Sequence, residues 1–332
     1  MKKGKRGLAV ECICTCLREW LFYRNSRWKF VCERFLKKGY DIETRYDVAI
    51  DYQGLGSSIL GLPFVAHKIH ANKRIAWIHQ DVNYMTEEAK SFSNYLDLFD
   101  NIVCVSSASK KEFDTQFPKY KEKTTVFYNL VDKEELTKKS VEPNEYDIKE
   151  KVLILSVGRL DYQKGFDIAI KALKDIKDSI PDFLYVIVGS GSEGSLLQKT
   201  IEETGLIENV RLLGRKDNPY PYYRNADLYL QPSRFEGFCI TLAEAKVFNI
   251  PIVTTDFAGA REQIRNMETG MIVRCEQSAI AHGIEQLINS RDLQSTFSSN
   301  LRLENELKSD LSELFVFFEK NKARMNAMVK ED

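Results

Sequence analysis

Nine short apolar runs, most of them followed by a stretch with helical spacing, constrain this chain more than any other feature of its 332 residues. Val48–Ile50, Ile75–Ile78, Ile102–Val105 and Thr125–Tyr128 form a first series. Val152–Val157, Phe183–Val188, Val210–Leu212, Leu228–Leu230 and Ile252–Thr254 form a second. Strands inside a parallel sheet are buried on both faces, so they read as continuous apolar runs and not as alternating ones. Helix candidates fall between them: Ser107–Gln116 in the first series, then Phe166–Asp178, Ser195–Thr204, Tyr220–Arg224, Cys239–Phe248 and Ser278–Asn289. Strands alternating with helices predict an α/β protein with parallel sheets covered on both sides.

The two series are separated by a charged, loosely patterned stretch, residues 133–150, with Pro143 inside it. Such a stretch reads as a linker. We therefore expect two doubly wound Rossmann-like domains facing a central cleft, over residues 1–140 and 141–305. Residues 306–332 read as a C-terminal helix carrying Leu311, Leu314, Phe315 and Phe318, packed back across the domains.

Net charge is zero, but the halves differ. Residues 1–140 hold 24 Lys/Arg against 18 Asp/Glu, and residues 141–332 hold 24 against 30. A basic first half suits an anionic partner, although a split of this size also arises by chance; nucleic acid is not expected. Residues 1–45 concentrate basic and aromatic side chains, among them Arg18, Trp20, Tyr23, Arg24, Arg27, Trp28 and Lys29. Two readings fit: an interfacial helix approaching a membrane surface, or an amphipathic helix capping the first sheet. The opening resembles a signal peptide, but Glu11 interrupts its apolar run, and Arg18 and Glu19 stand where a small-residue cleavage site belongs. No run reaches the roughly 18 apolar residues of a membrane span. The expected location is cytoplasmic, with at most peripheral contact with the inner face of the membrane. Seven cysteines, an odd number, fit reduced thiols in such a compartment. Cys12, Cys14 and Cys16 have no partner at metal-ligand spacing and read as small apolar side chains.

Ligands of open α/β sheets bind beyond the carboxyl ends of the strands. In the second series the unusual residues cluster there: Gly158-Arg159 with Lys164-Gly165, Gly189-Ser-Gly191, Gly214-Arg215-Lys216, Pro232-Ser233 with Glu236-Gly237, and Asp256 with Gly259 and Glu262. A diphosphate needs fixed cations, which Arg159 and Lys164 supply, and close backbone N–H groups, which glycines permit. Gly237 and Phe238 read as the opening of a helix whose dipole favours an anion. Cys239 follows them. Sugar and ribose hydroxyls need acceptors, and Glu236 and Glu244 are placed to provide them. Each piece alone is common; the joint arrangement carries the reading.

These residues resemble those of retaining glycosyltransferases of the GT-B fold, the family-four, group 1 type of bacterial polysaccharide enzymes. The resemblance rests on Gly158-Arg159-Leu with Lys164-Gly165, on Val188-Gly189-Ser-Gly191, on Leu213-Gly214, and on Pro232–Ala245, which carries two glutamates separated by seven residues. It implies that Arg159 and Lys164 bind the donor diphosphate, that Glu236 contacts the donor hexose, that Glu244 holds the ribose, and that the loop at Gly214, Arg215 and Lys216 meets the base. It also implies a role near the transferred sugar for His79, at the end of Arg74–Asp81. Gln80, Asp81 and Asn129 are weaker candidates on the acceptor side. The donor would be a nucleotide-sugar, most often a UDP-sugar in this family, and the acceptor lipid-linked or a saccharide. No Asp-x-Asp triplet occurs, so no metal and no cofactor are expected, with Arg159 and Lys164 replacing a metal's charge. Residues 1–45 lack the strand–glycine–helix opening of the family, which leaves room for a shortened first domain. Two other functions stay open at this point: a GT-B nucleotide-sugar epimerase, and a non-catalytic nucleotide-sugar-binding remnant.

Overall fold

The structure is a computed structural model and describes residues 42–57, 61–143 and 151–307. The basic, aromatic segment up to residue 41, with Cys12, Cys14 and Cys16, lies outside the described residues. So does the tail from residue 308, with Leu311, Leu314, Phe315 and Phe318. Among the described residues no helix is long and apolar enough to cross a membrane. The chain divides into two compact units: one runs to Val105 and takes in Lys110–Phe127, and the other takes in Ser106–Ser109 and the chain from Tyr128 onward.

The first unit holds β1 (Ile42–Asp51), α1 (Gly61–Lys68), β2 (Ile69–Ile78), β3 (Asn101–Cys104) and β4 (Thr124–Val126). They form a parallel sheet in the order β1-β2-β3-β4. The first two strands are far longer than their apolar runs predict. In β1 the extra residues Thr44–Asp47 are exposed, so this part of the strand carries no hydrophobic signal. Where apolar side chains resume, Ile75, Ala76, Ile78, Ile102 and Cys104 are all fully buried. Helix α2 (Ser107–Gln116) falls on the residues expected of it.

From Val152 to Ile288 the second unit alternates strand with helix. Its order is β5 (Val152–Val157), α3 (Phe166–Ile176), β6 (Phe183–Val188), α4 (Gly194–Thr204), β7 (Val210–Leu212), α5 (Tyr220–Asn225), β8 (Leu228–Gln231), α6 (Ile240–Val247), β9 (Ile252–Thr255), α7 (Ala260–Gln263), β10 (Met271–Val273), α8 (Gln277–Ile288) and α9 (Arg291–Leu307). All six strands are parallel, in the order β10-β9-β8-β5-β6-β7. Successive residues of a strand point to opposite faces, and here both faces are covered. Ile154, Phe183, Tyr185, Ile187, Leu228 and Leu230 join one core. Their neighbours Leu153, Leu155, Leu184, Val186 and Tyr229 join the other. Helix α3 seals the first core with Ala169, Ile170, Ala172, Leu173 and Ile176, spaced to share one helix face. Ile170, Leu173 and Ile176 each contribute roughly 1.5–3 kcal/mol through burial.

The strand order places the site. From β5 the chain moves outward through β6 and β7, then returns to the other side of β5 to lay down β8. The loops leaving β5 and β8 therefore diverge, which opens a crevice at the carboxyl ends of those two strands. These are the loops that carry Gly158–Gly165 and Pro232–Cys239.

Candidate functional site

The loop after β5 is shaped by close backbone approaches. Gly158 N–H donates to the Val188 carbonyl at 3.0 Å. Gly189 adopts φ 152°, and a Cβ there would lie 1.8 Å from the Gly158 carbonyl oxygen, so no side chain fits. Gly189 N–H in turn donates to the Gly214 carbonyl at 2.9 Å. Three of the glycines singled out in the sequence thus knit the ends of β5, β6 and β7 together.

Beyond Gly158 the chain makes a short 3₁₀ turn, Tyr162–Lys164, with Asp161 as its N-cap and Gly165 closing it at φ 67°. The turn leans on the loop after β8. A Cβ on Gly165 would sit 2.1 Å from the Pro232 carbonyl oxygen, and Arg234 N–H donates to the Gln163 carbonyl at 2.7 Å. The Arg234 guanidinium fastens the contact. It donates to both Asp167 oxygens at 2.9 and 2.8 Å and to the Tyr162 carbonyl at 2.7 Å, and it lies 3.9 Å over the Tyr162 ring. Sequence reasoning assigns Arg234 and Asp167 no role; an arginine beside a motif and an acid in a helix carry no signal of pairing across 67 residues.

This docking brings Lys164 to Glu236. The ammonium donates to Oε1 at 2.6 Å, and both residues are buried, at 9% and 8% exposure. Ser233 Oγ donates to the same oxygen at 3.0 Å, and Gln163 Nε2 donates to Oε2 at 3.1 Å. Behind Ser233 stands Gln231, whose Nε2 donates to Ser233 Oγ at 2.8 Å while its Oε1 accepts from Tyr229 and Thr241. Burial alone would push the Lys164 ammonium down; the Glu236 carboxylate, which is both charged and hydrogen-bonded to it, outweighs this together with Asp161 and carries Lys164 above its ordinary value. Lys164 therefore stays protonated. Its aliphatic stem fills the space beside Gly158, where a Cβ would come within 3.1 Å of Lys164 Cε.

Arg159, the other expected cation, is 72% exposed in its side chain, with only a 3.4 Å contact to Asp161. Helix α6 opens at Ile240, later than the expected start at Gly237–Phe238. The reason is Cys239, which takes φ 68° as N-cap; a left-handed residue cannot extend the helix toward Gly237. Gly237 and Phe238 thus form the turn leading into the helix, and Phe238 is buried at 7% exposure. Burial and the nearby Glu236 charge push the Cys239 thiol up to about 11, so it stays an unreactive SH.

Glu244 lies one turn into α6. Its Oε2 accepts from Tyr223 at 2.9 Å and its Oε1 from Tyr220 at 3.3 Å. Burial raises its pKa, opposed by the two phenols and by the Lys164 charge. Gly214 leaves β7 at φ 69° with open space around it. Arg215 is 79% exposed and meets Asp217 at 3.6 Å; Lys216 is half-buried.

His79 belongs to the first unit, at the carboxyl end of β2. Tyr52 packs edge-on against it at 4.5 Å. Burial lowers its pKa, partly opposed by a hydrogen bond to the Tyr52 backbone, so the ring is neutral near pH 7. Its Nε2 is buried and has no hydrogen-bond partner. Asp81 acts locally, capping the turn Val82–Tyr84 and accepting from Asn83 N–H at 2.9 Å. Glu112, pushed up to about 7 by burial and by Asp81, is its neighbour.

A parallel sheet whose switch point carries a buried Lys–Glu pair and a second, phenol-held carboxylate can be set against known architectures. The fold is that of the GT-B glycosyltransferases. Anabaena Alr3699/HepE, solved in complex with UDP, matches with a TM-score of 0.70 over 89% of this chain and 81% of its own, at 19% identity. The model of the family described as Glycosyl transferases group 1 matches residues 138–304, half of the chain, and the chain belongs to that family. Among curated relatives, an uncharacterized glycosyltransferase of Haemophilus influenzae is 29% identical over 241 residues, 70% of this chain and 65% of its own length. The N-acetylgalactosamine-N,N'-diacetylbacillosaminyl-diphospho-undecaprenol 4-alpha-N-acetylgalactosaminyltransferase of Campylobacter jejuni is 32% identical over 54% of this chain and 48% of its own. The capsular polysaccharide biosynthesis glycosyltransferase CapM of Staphylococcus aureus is 30% identical over 53% and 46%. The chain thus spans about half to two-thirds of the length of these relatives.

Proposed function

We propose that this chain is a retaining hexosyltransferase that takes its sugar from a UDP-sugar. The acceptor is lipid-linked or a saccharide, in the assembly of capsule, exopolysaccharide or lipopolysaccharide. The observation that carries this reading is the arrangement at the β5–β8 crevice. Arg159 stands exposed at its lip, Lys164 and Glu236 lie paired beneath it, and Glu244 sits one helical turn further on. A departing nucleotide gains negative charge on its diphosphate. Fixed cations that need not reorganise stabilise that charge in the transition state, and here Arg159 and Lys164 supply them without a metal ion. Glu236 accepts from a hydroxyl of the hexose and Glu244 from the ribose. The loop at Gly214, Arg215 and Lys216 borders the base, and His79 has a role toward the transferred sugar. The names of CapM and of the Campylobacter enzyme support the polymer and lipid-linked settings, and the UDP in HepE supports the nucleotide.

Calorimetric titration with UDP, GDP and ADP tests the donor. UDP should bind, and Arg159→Ala and Glu244→Ala should each weaken it by roughly 1–3 kcal/mol, the worth of a charged hydrogen bond. Unchanged affinity in both variants would remove the site assignment. Turnover with UDP-sugars and a membrane extract, with and without EDTA, separates the reactions. Transfer unaffected by EDTA is expected, epimerised UDP-sugar alone would mean an epimerase, and binding without turnover a remnant.

A further inference from the structure

Tyr220 and Tyr223 stand out because sequence motifs give them no role, yet their hydroxyls take both oxygens of Glu244. The two residues lie three apart on α5, so their side chains leave one face of the helix. Their rings are fixed by stacking. Tyr223 is fully buried and lies near-parallel to Tyr229 at 5.4 Å and 21° and to Phe248 at 5.6 Å and 16°. Tyr220 stacks on Phe248 at 6.4 Å and 26° and beside Tyr223 at 6.3 Å and 27°. Neither phenol can swing away without breaking this stack. Both stay protonated: burial, then the Glu244 charge, pushes Tyr220 up to about 12, and burial with the Glu244 charge drives Tyr223 well above its ordinary value. The Tyr223 hydroxyl also lies 3.2 Å from the Thr241 carbonyl oxygen, but its shorter contact is to the carboxylate.

An ionised carboxylate has about four acceptor positions, two on each oxygen. The phenols occupy one on each, which leaves one on each. That is the demand of a cis-diol, whose two hydroxyls donate side by side to two oxygens. We propose that Tyr220 and Tyr223 are positioning residues of a ribose subsite, orienting Glu244 so that its remaining lone pairs receive the 2′- and 3′-hydroxyls of the donor nucleotide. This rests on the reading of Glu244 as the ribose acceptor. A neutral donor pair is what such a site needs. A lysine in place of the phenols would neutralise the carboxylate and compete for its lone pairs, as Lys164 does at Glu236.

The test compares UDP with 2′-deoxy-UDP by calorimetry on the whole chain, in the wild type, in Tyr220→Phe and in Tyr220→Phe/Tyr223→Phe. The wild type should prefer UDP by about tenfold, the worth of one hydrogen bond. In the double variant UDP binding should weaken about tenfold while 2′-deoxy-UDP changes by less than about threefold, so that the preference collapses. A purely structural role would weaken both ligands alike and keep the preference, which overturns the proposal, as does an unchanged UDP affinity. Should the double variant fail to fold, Tyr220→Phe, which keeps the buried phenol, must show a smaller collapse in the same sense; an unaltered preference there overturns the proposal equally. Wild-type protein that binds UDP and 2′-deoxy-UDP alike, or binds no UDP, defeats the ribose reading of Glu244 itself, and the positioning role falls with it.

Discussion

Glu236 and Glu244 stand in one loop–helix segment, and both are drawn away from bulk water, yet the protein satisfies them in opposite ways. Glu236 receives a lysine ammonium at 2.6 Å together with Ser233 and Gln163. Glu244 receives two neutral phenols. The first corner is closed on itself: its opposite charges cancel and its acceptors are largely taken. The second keeps a net negative charge with lone pairs to spare. A self-neutralised pair shapes and stiffens a crevice and leaves Glu236 a single acceptor position, on Oε2, for one hydroxyl, whereas an ionised carboxylate held by neutral donors is ready to accept two. The same side chain thus does two jobs, and its neighbours decide which.

The comparison breaks most visibly at Lys164. Lys164→Met keeps the bulk of the stem but leaves Glu236 buried beside Ser233 and Gln163 without its cation. Removing one partner of a buried pair typically costs about 3–5 kcal/mol, and urea denaturation should show a loss of that size. Adding Glu236→Gln should recover part of it, since the stranded charge is then gone. If the two single losses simply add, the pair is not coupled and the contrast between the corners fails.

At the Glu244 corner the expected signature is in pH. Burial holds the Glu244 carboxyl above its ordinary value, with Tyr223, Tyr220 and Lys164 opposing the shift. Between the unfolded value and this raised one, the folded protein keeps a proton that the unfolded chain has released. The stability this contributes is complete below the unfolded value and is lost as pH rises through the folded one. Glu244→Gln cannot titrate, so its stability relative to the wild type should grow with pH across that window and then level off. Denaturant midpoints stepped upward from about pH 4, near the ordinary glutamate value, measure it. A constant difference would mean that Glu244 is as well solvated folded as unfolded.

How much of this was written in the sequence follows from what each feature depends on. Five of the second unit's six strands, all but the three-residue β10, were legible because both faces are covered, so every residue in a run such as Phe183–Val188 is apolar or aromatic and buried. Gly189 was legible because the backbone of Gly158 passes where its Cβ would stand, so nothing else is tolerated. The exposed half of β1 was not, since Thr44–Asp47 bury nothing. The start of α6 was misplaced because a cysteine gives no warning that it will turn left-handed. Arg234 with Asp167, and the tyrosines with Glu244, join residues that only the sheet order brings together. Glu236 and Glu244 could be nominated from their spacing, but what distinguishes them is supplied by α5 and by the turn at Lys164, more than 20 residues away in either case.

Arg159 sharpens the contrast from the other side, with the smallest effect on stability. It lies five residues before Lys164 and carries the same charge, but it is 72% exposed and meets Asp161 at only 3.4 Å. An exposed pair of this kind contributes about 0–0.5 kcal/mol, because solvent screens it and ordering a long side chain costs entropy. Arg159→Ala should therefore leave the denaturation midpoint almost unmoved, where Lys164→Met shifts it strongly. If Arg159→Ala nevertheless weakens UDP binding, the exposed cation exists for the ligand and the buried one also for the fold. A stability loss beyond about 1 kcal/mol would instead make Arg159 part of the same closed corner. The division between a self-satisfied pair and an open lip would then have to be redrawn around Asp161, whose carboxylate faces Arg159 and also caps the turn that carries Lys164.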